Sequence, residues 1–452
     1  MKHIKIIPLC IILLLAMAGC RRDLNRDLAP GIKPLDISIQ VGYDSADLKF
    51  NFPVEKVAVK LVNVFSNKLN IATTDAEGRV AFTNVSAGRY NIEATITIPK
   101  DLFNDRTGQS RDEDVVLSGS LTRIDINNKL DSALKLNVHV GRIGGLVLKQ
   151  IYYAGSNTAN GAGFRDQFIE IYNNSNEVIY ADSLYVAQLW GTNTTTPNLS
   201  TGLYVISGYL TGQFNWNKSI GMPANINATE DYVYAKSLYR IPGHGTQYPI
   251  KPGESIVIAQ TAVNHKAPYS NNSGGSINIK DPSLTVDLSN ADFEVYLAPY
   301  LSVPLASDID NPNVPDMIML DYSGKDWLLD NPGRDAFAIF KTEDNIPSAY
   351  KKYPDPTATS ISANTTLYYQ IPSNIIIDAV EIQPNVPASR VPKRLVGSLD
   401  AGFTFVPAGS YSSQSIIRKT VKVIAGRRVL MDTNNSINDF DYPDRPLPKG
   451  FK

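Results

Sequence analysis

The chain has 452 residues, room for two to four domains at roughly 100–200 residues each. Its 43 Lys plus Arg stand against 44 Asp plus Glu, a net charge of −1, which excludes the basic surplus of a nucleic-acid binder. A hydrophobic content of 43% excludes a largely disordered chain, and two Cys with four His exclude zinc ribbons and disulfide scaffolds.

Lys2, His3 and Lys5 precede an apolar run from Ile6 to Leu15, and Ala16-Met17-Ala18-Gly19-Cys20 follows. The run is too short for a span of ~20 residues, and residues 1–19 read as a signal peptide. The small residues before Cys20 resemble a bacterial lipobox, which predicts lipidation of Cys20 and a lipid-anchored place at the outer membrane, on its surface or periplasmic face. Cleavage there removes Cys10, Lys2 and Lys5 and leaves 41 basic against 44 acidic residues. The only thiol left is then the acylated one, so thiol catalysis and disulfides are excluded from the folded body. Residues 20–34, polar with two Pro and one Gly, read as a tether.

Residues 35–141 read as a small β-sandwich. Leu35-Asp-Ile37-Ser-Ile39-Gln-Val41 alternates apolar and polar, as do Val57 to Val64, Leu121 to Ile126 and Leu134 to Val140. Asp75 and Gly78 mark a turn before Val80 and Phe82, and Ala87-Gly88 turns again before Tyr90, Ile92 and Ala94. The pattern T-D-x-x-G-x-V-x-F-x-N-x-x-A-G-x-Y resembles the carboxypeptidase-regulatory or Cna-B-type sandwich, a spacer or recognition module without chemistry. The charged segment 101–115 reads as a loop.

Residues 142–452 read as a second, larger β domain. Gly144 to Tyr152, Phe168-Ile-Glu170-Ile-Tyr172-Asn173, Asp182 to Val186, Ile250-Lys-Pro252-Gly253 into Ile258, and Ser415 to Arg418 before Asp432 to Phe440 resemble the lamin-tail domain, an immunoglobulin-like sandwich. That domain has about 100–120 residues, so large insertions are expected at about 188–248 and 260–410. The fold class is thus mainly β: two immunoglobulin-like or prealbumin-like β-sandwiches in tandem, the second expanded by insertions. One-turn helices are expected at Asp326–Leu329 and Pro347–Lys351. The lipobox, the N-terminal sandwich and the D-T-N-N-S…D-F ending together resemble the Bacteroidota DUF4876 lipoproteins. That resemblance implies a cell-envelope component, considered beside TonB-dependent transporters.

Aromatic rings crowd the first insertion. Exposed rings near Asn and Thr suit sugar or aromatic-ligand stacking, and Trp190, Tyr209, Phe214 and Trp216 are the best partner surface, although rings of this kind also serve as core fillers. Asp308-Ile-Asp310-Asn311-Pro-Asn313-Val-Pro-Asp316 and Asp432 to Asp441 are oxygen-dense with calcium-like spacing. Asx turns explain both without a metal. His244 and His265 have no nearby His partner. Ser45, Ser132 and Ser183 follow the D-[S/T]-aliphatic acceptor pattern of O-glycosylation. No G-x-S-x-G, Walker loop, G-x-G-x-x-G or H-E-x-x-H occurs. No catalytic residue, cofactor or metal ligand is therefore expected.

These features point to a non-enzymatic binding module at the outer membrane, anchored through Cys20, with a glycan or an outer-membrane transporter as partner and no nucleic acid. The alternatives are an accessory protein in iron, haem or other nutrient uptake and a carboxylate-dependent glycan hydrolase, whose carboxylates come from distant strands.

Overall fold

The computed structural model describes residues 33–43, 47–64, 66, 68–107, 114–127, 134–138, 145–205, 212–424 and 426–452. Cys20, the tether up to residue 32, Ser45, Ser132 and Tyr209 lie outside the described residues.

The alternating segments of the first unit become strands as expected. They are β1 (Leu35–Tyr43), β2 (Ala58–Asn63), β3 (Leu69–Thr73), β4 (Arg79–Val85), β5 (Gly88–Ile98), β6 (Val115–Ile126) and β7 (Leu134–Val138). A sheet ordered β3-β2-β5-β6 faces one ordered β4-β1-β7, with β1 and β7 parallel. The period-2 pattern puts Ile37, Ile39 and Val41 inward against Val59, Leu61, Ile92 and Leu136. The turn at Asp75 closes as predicted: Gly78 N donates to Asp75 O at 3.0 Å, and Gly78 sits at φ +78° with no room for a Cβ beside Val41 O.

The segment expected as a loop at 101–115 begins instead with a helix, α1 (Lys100–Thr107). One residue accounts for it: Phe103 is fully buried and stacks on Phe52 at 5.6 Å, a tertiary contact that its polar neighbours conceal.

The second unit is also a sandwich, built from strands β8 (Leu146–Tyr152), β9 (Phe168–Asn173), β10 (Tyr185–Leu189), β11 (Tyr232–Arg240), β12 (Ser255–Ala259), β13 (Phe293–Glu294), β14 (Ile318–Asp321), β15 (Ala336–Phe340), β16 (Lys352–Tyr353), β17 (Tyr368–Pro372), β18 (Ile376–Glu381) and β19 (Ile416–Arg418). A hairpin follows, β20 (Thr420–Ile424) and β21 (Arg427–Leu430), and then β22 (Phe440–Asp441). One sheet runs β13-β12-β9-β8-β19-β22. The other, seven-stranded, runs β16-β17-β11-β10-β15-β18, with β14 also paired to β11.

The larger sheet changes the meaning of the expected insertions. Six of its seven strands, all but β10, come from 188–248 and 260–410. These segments do not decorate a finished sandwich; they form most of its second layer. Between the layers lie Leu148, Ile151, Ile169, Ile171, Ile256 and Ile258 from one sheet, against Val186, Tyr239, Phe337, Ile339 and Val380 from the other. Strand β9 is buried on both faces, so its outward Glu170 needs a partner, and Lys149 Nζ donates to it at 2.7 Å with both side chains fully buried. The lamin-like landmarks at β8, β9, β12 and β19 all fall in the six-stranded sheet.

Of the two expected helical turns, one forms. Helix α2 (Ile346–Ala349) matches the expected turn at Pro347–Lys351, whereas Asp326–Leu329 is irregular. A last turn, α3 (Ser436–Asp439), precedes β22. Among the described residues no helix is long and apolar enough to cross a membrane.

The two sandwiches are joined through β6. Ser118 Oγ donates to Thr433 O at 2.7 Å and Ser120 Oγ donates to Ala401 O, both serines being buried. Buried hydroxyls satisfied across the seam fix one unit on the other.

Candidate functional site

The expected aromatic surface is largely interior. Phe214 is 4% exposed and Trp216 3%. Trp216 lies flat on Tyr234 with centroids 3.5 Å apart, meets Phe214 edge-on, and Tyr204 stacks on Phe214. Trp190 is half-buried and stacks on Tyr368 at 5.0 Å. These rings cover the β11–β17 end of the larger sheet, which would otherwise expose Tyr234 and Tyr368. The partner-surface reading of Trp190, Phe214 and Trp216 is therefore corrected: ring area is worth more buried against rings than left in water.

The two oxygen-rich loops separate. In the first, Asp308 turns inward and accepts from Leu297 N at 3.0 Å, and Asn313 N closes an Asx turn on Asn311. Asp310 and Asp316 stay exposed and meet the buried Glu294 of β13, with one oxygen of each within 4.8 Å of the others. Both Glu294 oxygens already accept backbone amides, from Asn311 at 2.7 Å and Ala262 at 2.9 Å. Burial first, and then repulsion from Asp316 and Asp310, push its pKa up to about 7. The sequence held no local signal for Glu294, because β13 reaches the loop through a bridge between Glu294 and Asp316.

In the second loop the cation is a guanidinium. Arg418 donates two bonds of 2.8 Å to Asp378 and contacts Asp439 at 3.2 Å and Asp432 at 3.3 Å, all four side chains being buried. Asp432 and Asp439 thus turn toward an arginine of β19.

His244 is exposed. His265 is buried, its Nε2 lies 3.1 Å from Thr261 O, and burial pushes its pKa down to about 4. It is a neutral core residue. Ser183 is half-buried between buried Asp182 and Leu184, poorly placed for a glycan acceptor.

What the surface does offer is a cleft of about 440 Å³ lined by Gln188, Lys236, Leu305, Lys325, Asp326, Leu328 and Asp330, with Ser323 and Gly324 at its lip. Gln188 on β10 and Lys236 on β11 form its floor, and the 323–330 segment forms its wall. Asp335 anchors the floor: it accepts from Lys236 Nζ at 2.6 Å and from Gln188 Nε2 at 2.6 Å. Burial alone would raise Asp335, but Lys236 and Arg394 outweigh it and hold the carboxyl below its usual range. In the wall, Arg165 donates to Asp326, and Gln260 does so at 3.0 Å. Arg334 grips Asp330 with bonds of 2.7 and 3.0 Å. Fixed polar groups therefore alternate with Leu305 and Leu328. Such a lining can orient a polar ligand with an apolar face. Each of its carboxylates is held by an arginine, Asp326 by Arg165 and Asp330 by Arg334.

Several buried carboxyls keep their protons to higher pH in the fold than in the unfolded chain. Burial raises Asp166, Asp308 and Asp439 to about 6 and Glu294 to about 7. An unfolded chain releases these protons near pH 4, so their contribution to stability is full at low pH and is lost as pH rises through 4 to 7. His265 opposes them, since its lowered pKa costs stability below about 6.5. The carboxylates outnumber it. The melting temperature is therefore expected to be roughly 5 °C higher at pH 5.5 than at pH 8 in differential scanning calorimetry. A rising or flat profile over that interval contradicts these assignments.

The family model for DUF4876, described as a protein of unknown function, matches residues 251–447. A crystal structure of a DUF4876 family protein from Bacteroides thetaiotaomicron is 25% identical over 90% of this chain and 95% of that one, with a TM-score of 0.49. The fimbrial protein FimP from Actonomyces oris is 13% identical over 76% of this chain and 95% of its own, with a TM-score of 0.17. No curated protein matches the chain.

Proposed function

We propose, for a chain whose residues 251–447 match the DUF4876 family, a non-enzymatic lipoprotein of the cell envelope. It is held at the outer membrane through Cys20 and recognises a glycan in the cleft between Gln188 and Asp330. The cleft carries this reading. Its donors Lys236, Lys325 and Gln188 and its acceptors Asp326 and Asp330 stand beside Leu305 and Leu328. Sugars present hydroxyls and apolar ring faces in the same alternation. The lipobox at Ala18-Gly19-Cys20 supports the anchor, and two acyl chains suffice for stable membrane attachment.

Two measurements test it. Intact-mass spectrometry of protein from native membranes is expected to show diacylglycerol on an N-terminal Cys20, and a Cys20→Ala variant is expected to lose the modification. A glycan array is expected to show binding that Leu328→Asp with Lys325→Glu abolishes at an unchanged melting temperature, because both side chains are exposed. Binding that survives the double variant removes the cleft from the proposal. Silence on the array together with co-purification of a TonB-dependent transporter replaces the glycan by a protein partner.

A further inference from the structure

The hairpin of β20 and β21 combines two features, exposed apolar side chains and unbalanced positive charge. Val421 is 52% exposed, Val423 58% and Ile424 42%, three branched apolar side chains within four residues of one strand. The segment from Lys419 to Met431 also carries Lys419, Lys422, Arg427 and Arg428 and no acidic residue, on a chain with a net charge of −1. Packing holds the hairpin in place from behind. Leu430 is buried, Asn174 Oδ1 accepts from Leu430 N at 2.8 Å, and Tyr172 donates to Arg428 O at 2.5 Å. Arg427 donates to Asn174 O at 2.9 Å, and Arg428 lies over the Phe451 ring at 4.7 Å. The apolar strand is thus presented on a fixed base, with cations around it.

We infer that this hairpin is a second membrane contact, which inserts Val421, Val423 and Ile424 among the headgroups of an anionic lipid surface while the positive charge of Lys419, Lys422, Arg427 and Arg428 attracts that surface. Apolar side chains in the headgroup region gain from burial, and each Lys or Arg near an anionic surface adds electrostatic attraction. Charge complementarity selects this occupant: a second copy would bring the same four cations face to face. The 13 peptide steps from Cys20 to Lys33 reach at most about 45 Å when extended, enough slack for the body to settle on the bilayer that holds the lipid. The inference takes the presence of a membrane from the lipoprotein reading, but its test does not need the lipid.

The test uses the chain from residue 20 with Cys20→Ser, which keeps every described residue. Flotation with vesicles of phosphatidylethanolamine and 30% phosphatidylglycerol is expected to show binding that weakens at least tenfold on neutral phosphatidylcholine vesicles or in high salt. Val421→Ser with Val423→Ser and Ile424→Ser is expected to lower binding at least tenfold at an unchanged melting temperature. Absence of binding to anionic vesicles, or equal binding by the triple variant, overturns the inference. So does a concentration-dependent dimer in sedimentation that the triple variant abolishes. The mass of native Cys20 is a separate result, so failure of the anchor and failure of the hairpin are read independently.

Discussion

Arg418→Met is expected to lower the unfolding free energy by about 3–5 kcal/mol, the cost of breaking a buried charge cluster by removing one partner. The guanidinium is the centre of that cluster. It holds Asp378 through two bonds of 2.8 Å, Asp439 at 3.2 Å and Asp432 at 3.3 Å. It also donates to Leu148 O at 3.0 Å and Met431 O at 2.9 Å, and stacks over Phe440 at 4.8 Å. Asp378 belongs to β18 of the seven-stranded sheet and Arg418 to β19 of the six-stranded one. The cluster is therefore a polar bolt between the two layers. Burial, with Asp432 close by, already raises Asp378 despite the guanidinium beside it. Methionine leaves those acids without a counter-charge. Urea titration measures the loss. Adding Asp378→Asn to Arg418→Met is expected to recover part of it, since one of the stranded charges is then gone. A single-variant loss under about 1 kcal/mol would show that water or protons compensate the acids and that the bolt is dispensable.

The second large effect is expected at Trp216. Trp216→Ala removes a side chain that is 3% exposed, lies flat on Tyr234 at 3.5 Å and touches Phe214 and Tyr368 edge-on. Deletion of a buried Trp costs about 3–5 kcal/mol. Trp190→Ala is expected to cost less, because Trp190 is half-buried and has one stacking partner, Tyr368. The sum of the two is not expected to be additive, since both rings meet Tyr368. Thermal unfolding of the two single variants and the double variant checks this order. If Trp216→Ala kept its melting temperature and instead lost glycan binding, the rings would be a recognition face after all and the cleft would lose its claim.

Much of the architecture is written locally. Alternation in Leu35–Val41, the Asp75–Gly78 turn and the Phe168–Asn173 strand each need only neighbours in sequence, because the strand period and the turn angles belong to the backbone. The mainly β class and the existence of two sandwiches follow from such segments. The lipobox-like pattern before Cys20, on which the proposed anchor rests, is likewise a linear pattern. What local pattern does not contain is the partner of each strand. Residues 188–248 and 260–410 look like insertions when read along the chain, yet they close the second layer by pairings such as β10 with β15 and β11 with β17. Tertiary pairing also decides which side chains face water. Trp216 and Phe214 carry the composition of a binding surface and are covered by Tyr234 and Tyr204. Glu294 joins Asp310 and Asp316 only through a bridge between segments, and Arg418 finds Asp378 40 residues away. The cleft follows the same rule, since Gln188, Lys236 and Asp326 meet only after the sheet forms. Hydrophobic period is a property of a few consecutive residues. Burial, charge pairing and cleft geometry depend on which distant segments the folded chain brings against them.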